Sequence, residues 1–160
     1  MTPGAAAQSV HATALVIGEA GVLIEGPSGS GKSALALACI AQAQAQGLFA
    51  RLVSDDRVRL AARGGRLIAS VHPAIAGHVE RRGLAIGRAD FCGQAVLRLV
   101  ARMVSGGESA AVVPRLPWQE PSMAQICGIS LPVLPLDARR ARPDQVALVL
   151  AALKTATLTG

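Results

Sequence analysis

Aromatic side chains are almost absent from this sequence of 160 residues, which has no tyrosine, two phenylalanines and one tryptophan. The aliphatic residues must therefore fill the core, and a hydrophobic content of 51% is enough for one compact domain of this length. The scarcity of aromatic residues also limits what the net charge of +6 can mean. Proteins that bind single-stranded nucleic acid usually combine basic residues with interleaved aromatic residues. The densest basic group, Arg139, Arg140 and Arg142, contains no aromatic residue. We therefore expect no nucleic-acid partner, and the charge suits polyphosphate ligands or an acidic partner.

Long apolar runs are also missing. The longest run near the C-terminus, residues 146–153, is far shorter than the roughly 20 residues of a membrane-spanning helix. The first ten residues lack the basic and apolar regions of a signal peptide, so we expect a cytoplasmic protein without membrane contact. The three cysteines, Cys39, Cys92 and Cys127, show no CxxC spacing and cannot all pair, which favours buried, reduced thiols.

Turn residues divide the chain into short strands and two helices, without an internal repeat. The apolar stretches predict strands at residues 11–17, 22–25, 48–54, 58–61, 67–70, 97–103 and 129–136. The last stretch carries two prolines, which predicts an edge strand or an extended segment. Helices are predicted over residues 33–46, which Gly47 ends, and over residues 143–154. The expected fold is α/β: one domain over residues 1–160, with a mixed β-sheet flanked by helices.

One motif points directly to chemistry. Residues 26–33 (GPSGSGKS) match the P-loop or Walker A pattern G-x-x-x-x-G-K-[ST] between a predicted strand and a predicted helix. Its glycines allow backbone amides to turn inward onto phosphates, Lys32 reaches the terminal phosphates, and Ser33 offers a hydroxyl to Mg²⁺. The predicted nucleotide-binding residues are Gly26, Pro27, Ser28, Gly29, Ser30, Gly31, Lys32 and Ser33. We therefore expect ATP and Mg²⁺ as cofactors.

Acidic and imidazole groups elsewhere are candidates to complete such a site. Asp55 and Asp56 follow a buried strand, as a Walker-B-like acid does, although a strand-ending aspartate pair can also simply form a turn. One carboxylate could orient Mg²⁺ while the other deprotonates an acceptor hydroxyl. His11 starts the first predicted strand and Glu80 lies in a polar segment; either could be an ordinary surface residue. His72 and His78 have no metal-ligand spacing and are expected to be structural.

The order of these motifs resembles the catalytic domain of bacterial HPr kinase/phosphorylase. That family has a histidine strand before its P-loop lysine, and here His11 precedes Lys32 by 21 positions. The further matching elements are residues 26–33, 52–56 (LVSDD), 80–86 (ERRGLAI) and 93–96 (GQAV). The likeness covers about residues 10–136 and is to a short form without the N-terminal domain. The aspartate pair and the E-x-R-G element in this order make it much more specific than the P-loop alone.

The resemblance implies roles for the matched positions. Lys32 would hold phosphate, Ser33 and Glu80 would bind Mg²⁺, and Asp56 would act as general base towards a serine of HPr. Asp55 is then the carboxylate of the pair that is left to orient Mg²⁺. His11 would tune Asp56, and Arg115 would stabilise charge on the transferred group. The family also implies a homohexamer, HPr as partner and a reverse phosphorylase reaction. Its V-x-x-G-R-N loop, tied to that reverse reaction, has no counterpart after residue 136.

Two other functions fit the same P-loop. A small-molecule kinase would need a metabolite pocket, with residues 101–120 as a lid or docking surface, and a metabolite screen would reveal it. A nucleotide-dependent switch or assembly protein would hydrolyse ATP slowly at most. In such a switch, substitution of Glu80 or His11 would not alter the nucleotide chemistry.

Overall fold

The computed structural model describes residues 7–71, 91–105 and 122–158, and the account of the fold is confined to them. Within these ranges the chain forms nine strands and two helices. In chain order they are β1 (Gln8–Val10), β2 (Thr13–Ile17), β3 (Ala20–Glu25), α1 (Lys32–Ala45), β4 (Ala50–Ser54), β5 (Val58–Arg63), β6 (Arg66–Val71), β7 (Gln94–Val104), β8 (Ser122–Ile126), β9 (Ile129–Asp137) and α2 (Arg142–Leu158). Neither helix is long and apolar enough to cross a membrane.

The strands form one mixed sheet, as the sequence predicts. Its main path runs β1-β5-β6-β7-β3-β2-β4, and β9 joins β7 and carries β8. β7 pairs parallel with β3 and with β9, whereas the pairings within the β2–β3 and β5–β6 hairpins are antiparallel. The 11-residue β7 also pairs with β6 near its start. It is therefore the strand that joins β1, β5 and β6 to the part of the sheet formed by β3, β2 and β4.

Both faces of the central strands are buried, each in its own core. Along β2, Leu15 and Ile17 point into one core and Ala14 and Val16 into the other, as the two-residue period of a strand requires. The first core lies under α1 and α2, and the second lies against β5 and β6. This double burial explains why the predicted strands read as nearly continuous apolar runs.

Helix α1 follows the predicted span closely and starts at Lys32, so that the last two residues of the P-loop motif form its first turn. Leu35, Cys39 and Ala43 are fully buried on its sheet-facing side. The helix ends where Gly47 adopts φ +79° and its amide bonds to the carbonyl oxygen of Gln44. The predicted strand over residues 48–54 starts two residues later in the structure, because Leu48 and Phe49 are exposed in the connection from the helix.

The prediction for β9 is wrong in one respect: β9 is an interior strand and not an edge strand. β8 pairs with its first half, where Pro132 lies opposite Met123, and β7 pairs with its second half, where Pro135 lies opposite Arg102. The two pairings overlap only at Val133. Among the strands that the structure describes, each proline therefore has a partner on one side only, so its missing amide proton need not interrupt a ladder.

The cysteines are free thiols, as predicted, but only one of them is buried. Cys39 is fully buried in the core beneath α1, whereas Cys92 and Cys127 are half-buried. The prediction that all three are buried is therefore wrong for two of them, because Cys92 precedes β7 and Cys127 lies in the β8–β9 turn. Burial raises the pKa of the Cys39 thiol to about 12, against the smaller opposing effect of the nearby Arg142.

We predict that Cys39 resists alkylation in the folded protein, because it is buried and its thiolate is disfavoured. A variant with Cys92→Ser and Cys127→Ser leaves Cys39 as the only thiol. Maleimide labelling followed by mass spectrometry should be very slow for this variant in buffer and rapid in denaturant, while the wild-type chain takes up two labels quickly. Equally fast labelling of Cys39 with and without denaturant would contradict this core.

Candidate functional site

The P-loop motif joins the end of β3 to the start of α1. Gly26 has φ +153°, and a Cβ at this position would lie 2.7 Å from the Cβ of Met103 in β7. The loop turns through a hydrogen bond from the amide of Ser30 to the carbonyl oxygen of Pro27, at 3.1 Å. The unpaired amides of the first turn of α1 follow directly. A glycine-lined backbone turn at a helix N-terminus favours an anion.

Lys32 brings a positive charge to this loop. The residue is only 7% exposed, and its Nζ donates hydrogen bonds to the carbonyl oxygens of Gly26 and Pro27, both at 3.0 Å. Ser30 adds a buried hydroxyl that has no hydrogen-bond partner among the residues that the structure describes. Leaving such a group unsatisfied is costly, and an acceptor oxygen would satisfy it. The ammonium group, the amides and this hydroxyl together fit a polyphosphate.

The first aspartate of the pair is fastened to the P-loop helix. The Ser33 hydroxyl donates to Oδ1 of Asp55 at 2.6 Å, and the Thr13 hydroxyl donates to the same oxygen at 2.9 Å. Thr13 is fully buried in β2, so this contact ties three separate elements together. The Ser33 oxygen keeps its lone pairs, and oxygen is the donor atom that Mg²⁺ prefers. Ser33 and Asp55 therefore form a fitting pair for Mg²⁺.

Ser33 and Asp55 alone do not form a complete metal-binding site. Within residues 7–71, 91–105 and 122–158, no group of three or more His, Cys, Asp or Glu side chains is placed to hold a metal ion. Mg²⁺ characteristically takes one or two carboxylates and completes its shell with water and substrate phosphate oxygens. Two oxygen donors beside a phosphate loop match that habit better than they match a closed structural site.

The second aspartate has different surroundings. Asp56 has φ +69°, a left-handed conformation that turns the chain after β4. Its Oδ1 lies 3.4 Å from Nε2 of His11, and the two side chains are 63% and 60% exposed. The Ser54 hydroxyl donates to the carbonyl oxygen of Arg57 at 2.5 Å and closes this turn. The two neighbouring carboxylates are thus separated: one faces the P-loop helix, and the other stands open beside an imidazole.

Three side chains around the site were not recognised from the sequence. Thr13 supports Asp55, as described above. Arg142 donates to the carbonyl oxygen of Gly31 at 3.3 Å, and Gln145 accepts from Arg142 at 2.7 Å. A polar residue within the apolar stretch 11–17 is a signal that could have singled out Thr13. No local pattern marks Arg142 or Gln145, because the contact that gives both of them a role at the site, from Arg142 to Gly31, spans 111 positions of the sequence.

The other predicted site residues cannot be placed. Glu80 and Arg115 lie outside the residues that the structure describes, as do His72, His78 and most of the segment 101–120. The described part of the site therefore consists of the P-loop, Asp55, Asp56 and His11, which the fold brings to the same end of the sheet.

Comparisons with known proteins agree with one another. The HPr kinase/phosphorylase of Lactobacillus acidophilus is 28% identical over 153 residues, which is 91% of this chain and 45% of that protein. The HPr kinase/phosphorylase of Treponema pallidum is 29% identical over 154 residues, 91% of this chain and 46% of that protein. The chain therefore spans about half the length of the curated relatives it matches.

The fold gives the same answer as the sequence. The solved structure of the Hpr(Ser) kinase/phosphatase from Coxiella burnetii matches with a TM-score of 0.70 and 26% identity, over 96% of this chain and 99% of that chain. The family model of the HPr Serine kinase C-terminal domain matches residues 4–158. The resemblance read from the order of the motifs is thereby confirmed, and this chain belongs to the HPr Serine kinase C-terminal domain family.

Proposed function

We propose that this chain is a Mg²⁺- and ATP-dependent protein serine kinase whose acceptor is a seryl residue of the phosphocarrier protein HPr. The names of its relatives support the reaction and the acceptor. The observation that carries the proposal is the separation of Asp55, bonded to the P-loop helix, from Asp56, exposed beside His11. Phosphoryl transfer needs both a fixed metal-binding oxygen and a group that can orient or deprotonate the acceptor.

The P-loop residues would bind the nucleotide. Backbone amides of residues 26–33 would surround the β-phosphate, and Lys32 would exchange its carbonyl contacts for phosphate oxygens. Ser33 and Asp55 would hold Mg²⁺, with Glu80 as a further ligand by resemblance to the family. The metal ion would neutralise charge between the phosphates. Ser33 can serve it while still donating its proton to Asp55, because a hydroxyl has one proton and two lone pairs.

Asp56 would accept the proton of the seryl hydroxyl. Its carboxylate is exposed, so an incoming protein side chain can reach it, and the left-handed turn at this residue presents it away from Asp55. His11 would orient the carboxylate from its other side. In the reverse reaction the protonated Asp56 would return the proton to the serine oxygen. Arg115 is assigned to charge stabilisation by resemblance, and the homohexamer is likewise a prediction of the resemblance, whereas the cytoplasmic location is a prediction from the apolar pattern of the sequence.

We predict that Asp56→Asn lowers the rate of phosphate transfer from labelled ATP to purified HPr by about 10²- to 10⁴-fold, because an amide cannot act as general base. Asparagine tolerates the left-handed conformation of this position, so the turn should persist. ATP affinity should stay within about twofold, as for other surface substitutions. Glu19→Gln, an exposed acid in the β2–β3 turn, is the matched control and should keep full transfer.

Two outcomes would count against the proposal. Substantial transfer by the Asp56→Asn variant would rule out this base. Tight ATP binding by the wild-type chain without any transfer to HPr would move the function to a small-molecule acceptor or to a nucleotide-dependent switch, and a metabolite screen would then separate these two.

We further predict that Thr13→Val weakens the metal site, because Asp55 loses the buried hydroxyl that orients it. The Mg²⁺ concentration that half-saturates the metal-dependent part of ATP binding should rise by about tenfold, the effect typical of groups that orient metal ligands. Thr13→Ser keeps the hydroxyl and should behave as wild type. Calorimetric titration of ATP at several Mg²⁺ concentrations measures the effect, and identical metal dependence of the two variants would contradict this role for Thr13.

A further inference from the structure

The start of helix α2 lies against the P-loop, although more than a hundred residues separate them in sequence. Arg142, the first residue of α2, directs Nη1 to the carbonyl oxygen of Gly31 at 3.3 Å. Its Nη2 is close as well, because a Cβ at Gly31 would lie 2.7 Å from it. The guanidinium group therefore lies beside the last glycine of the motif, and a Cβ at Gly31, whose φ is +95°, would displace it.

Gln145 holds the guanidinium group in this position. It is fully buried, and its Oε1 accepts a hydrogen bond from Arg142 Nη1 at 2.7 Å. Its Nε2 donates to the carbonyl oxygen of Asp137, at the end of β9, at 2.9 Å. Burying an amide side chain costs free energy unless both of its ends are bonded, and here both are. A continuous chain of hydrogen bonds thus runs from β9 through Gln145 and Arg142 to the P-loop.

The segment between β9 and α2 is itself fastened. The amide of Ala138 donates to the carbonyl oxygen of Val104 at 2.9 Å, and the amide of Arg140 donates to the carbonyl oxygen of Asp137 at 3.0 Å. The side chain of Arg139 pairs with the Asp137 carboxylate, which lowers the pKa of that carboxyl. The segment that leads to Arg142 is therefore held in place by contacts with the ends of β7 and β9.

The contact reaches the phosphate-binding atoms through the geometry of one peptide bond. A trans peptide is planar, and its carbonyl oxygen and amide proton point in opposite directions. The peptide that joins Gly31 to Lys32 carries both the oxygen bonded to Arg142 and the Lys32 amide, one of the unpaired donors at the start of α1. The same oxygen accepts the amide of Leu35 at 2.9 Å, so Arg142 adds a second, charged donor that helps to fix the direction of the Lys32 amide.

We propose that Arg142, held by Gln145, is a positioning residue that pre-organises the P-loop for polyphosphate. The proposal deepens the proposed function, since it rests on the P-loop being the nucleotide site, but it does not depend on which acceptor is used. It assigns the C-terminal helix a part in nucleotide affinity. Loss of Arg142 should therefore weaken binding of any ligand that the loop holds by its phosphates.

The test compares Arg142→Gln with Arg140→Gln, which removes an exposed arginine of the same segment. Calorimetry with Mg-ATP and with inorganic pyrophosphate should show Kd raised by about tenfold or more in Arg142→Gln, the usual effect of losing a charged hydrogen bond. In Arg140→Gln, Kd should stay within about twofold of wild type. Gln145→Leu should also raise the Kd of both ligands, because Arg142 then loses the hydrogen bond that holds its guanidinium group.

Chemical rescue separates positioning from general stability. In Arg142→Ala, guanidinium ion at concentrations well below denaturing ones should restore most of the lost ATP affinity, whereas the same concentration of sodium chloride should not. Lys32→Ala should show no rescue. Unchanged Kd values in folded Arg142→Gln, or a loss in Arg142→Ala that guanidinium does not restore, would overturn the proposal. If the wild-type chain binds ATP but transfers no phosphate to HPr, only the kinase proposal fails, and the Arg142 comparison still decides this one.

Discussion

The arrangement of the site depends on one oxygen atom, Oδ1 of Asp55. It accepts hydrogen bonds from Ser33 at the start of α1 and from Thr13 in the buried strand β2. The P-loop helix is thereby aligned with the end of β4, where Asp56 follows. A hydrogen bond between charged and polar groups is directional, so this shared contact sets the distance between the P-loop and Asp56 more closely than apolar packing would. The contact thus holds an acidic side chain in a fixed position beside the P-loop.

The features of the structure that were predictable from sequence are those with local causes. The P-loop needs glycines and a following helix within eight residues, so its pattern is complete in the sequence. The alternation along residues 97–103 reflects the two-residue period of a strand, and β7 contains all of them. The mixed sheet also followed from the order of short strands and helices. The family resemblance arose from the order of several such local motifs.

What could not be predicted depends on partners that are distant in sequence. β1 and β8 are short and partly exposed, so their sequences carry little apolar pattern. The interior place of β9 depends on which neighbours pair with each half, and prolines alone suggested an edge. Thr13 and Arg142 contact residues 42 and 111 positions away, and Gln145 acts by holding Arg142. Contacts between residues that are distant in sequence leave no spacing pattern that could be recognised.

The central claim is that the adjacent aspartates have separate tasks, one for the metal and one for the acceptor. The most direct measurement is the Mg²⁺ dependence of ATP affinity in Asp55→Asn beside Asp56→Asn, followed by calorimetry. The account predicts that Asp55→Asn loses most of the gain in ATP affinity that Mg²⁺ gives, while Asp56→Asn keeps it. An equal loss in both variants, or a loss in Asp56→Asn alone, would contradict the account.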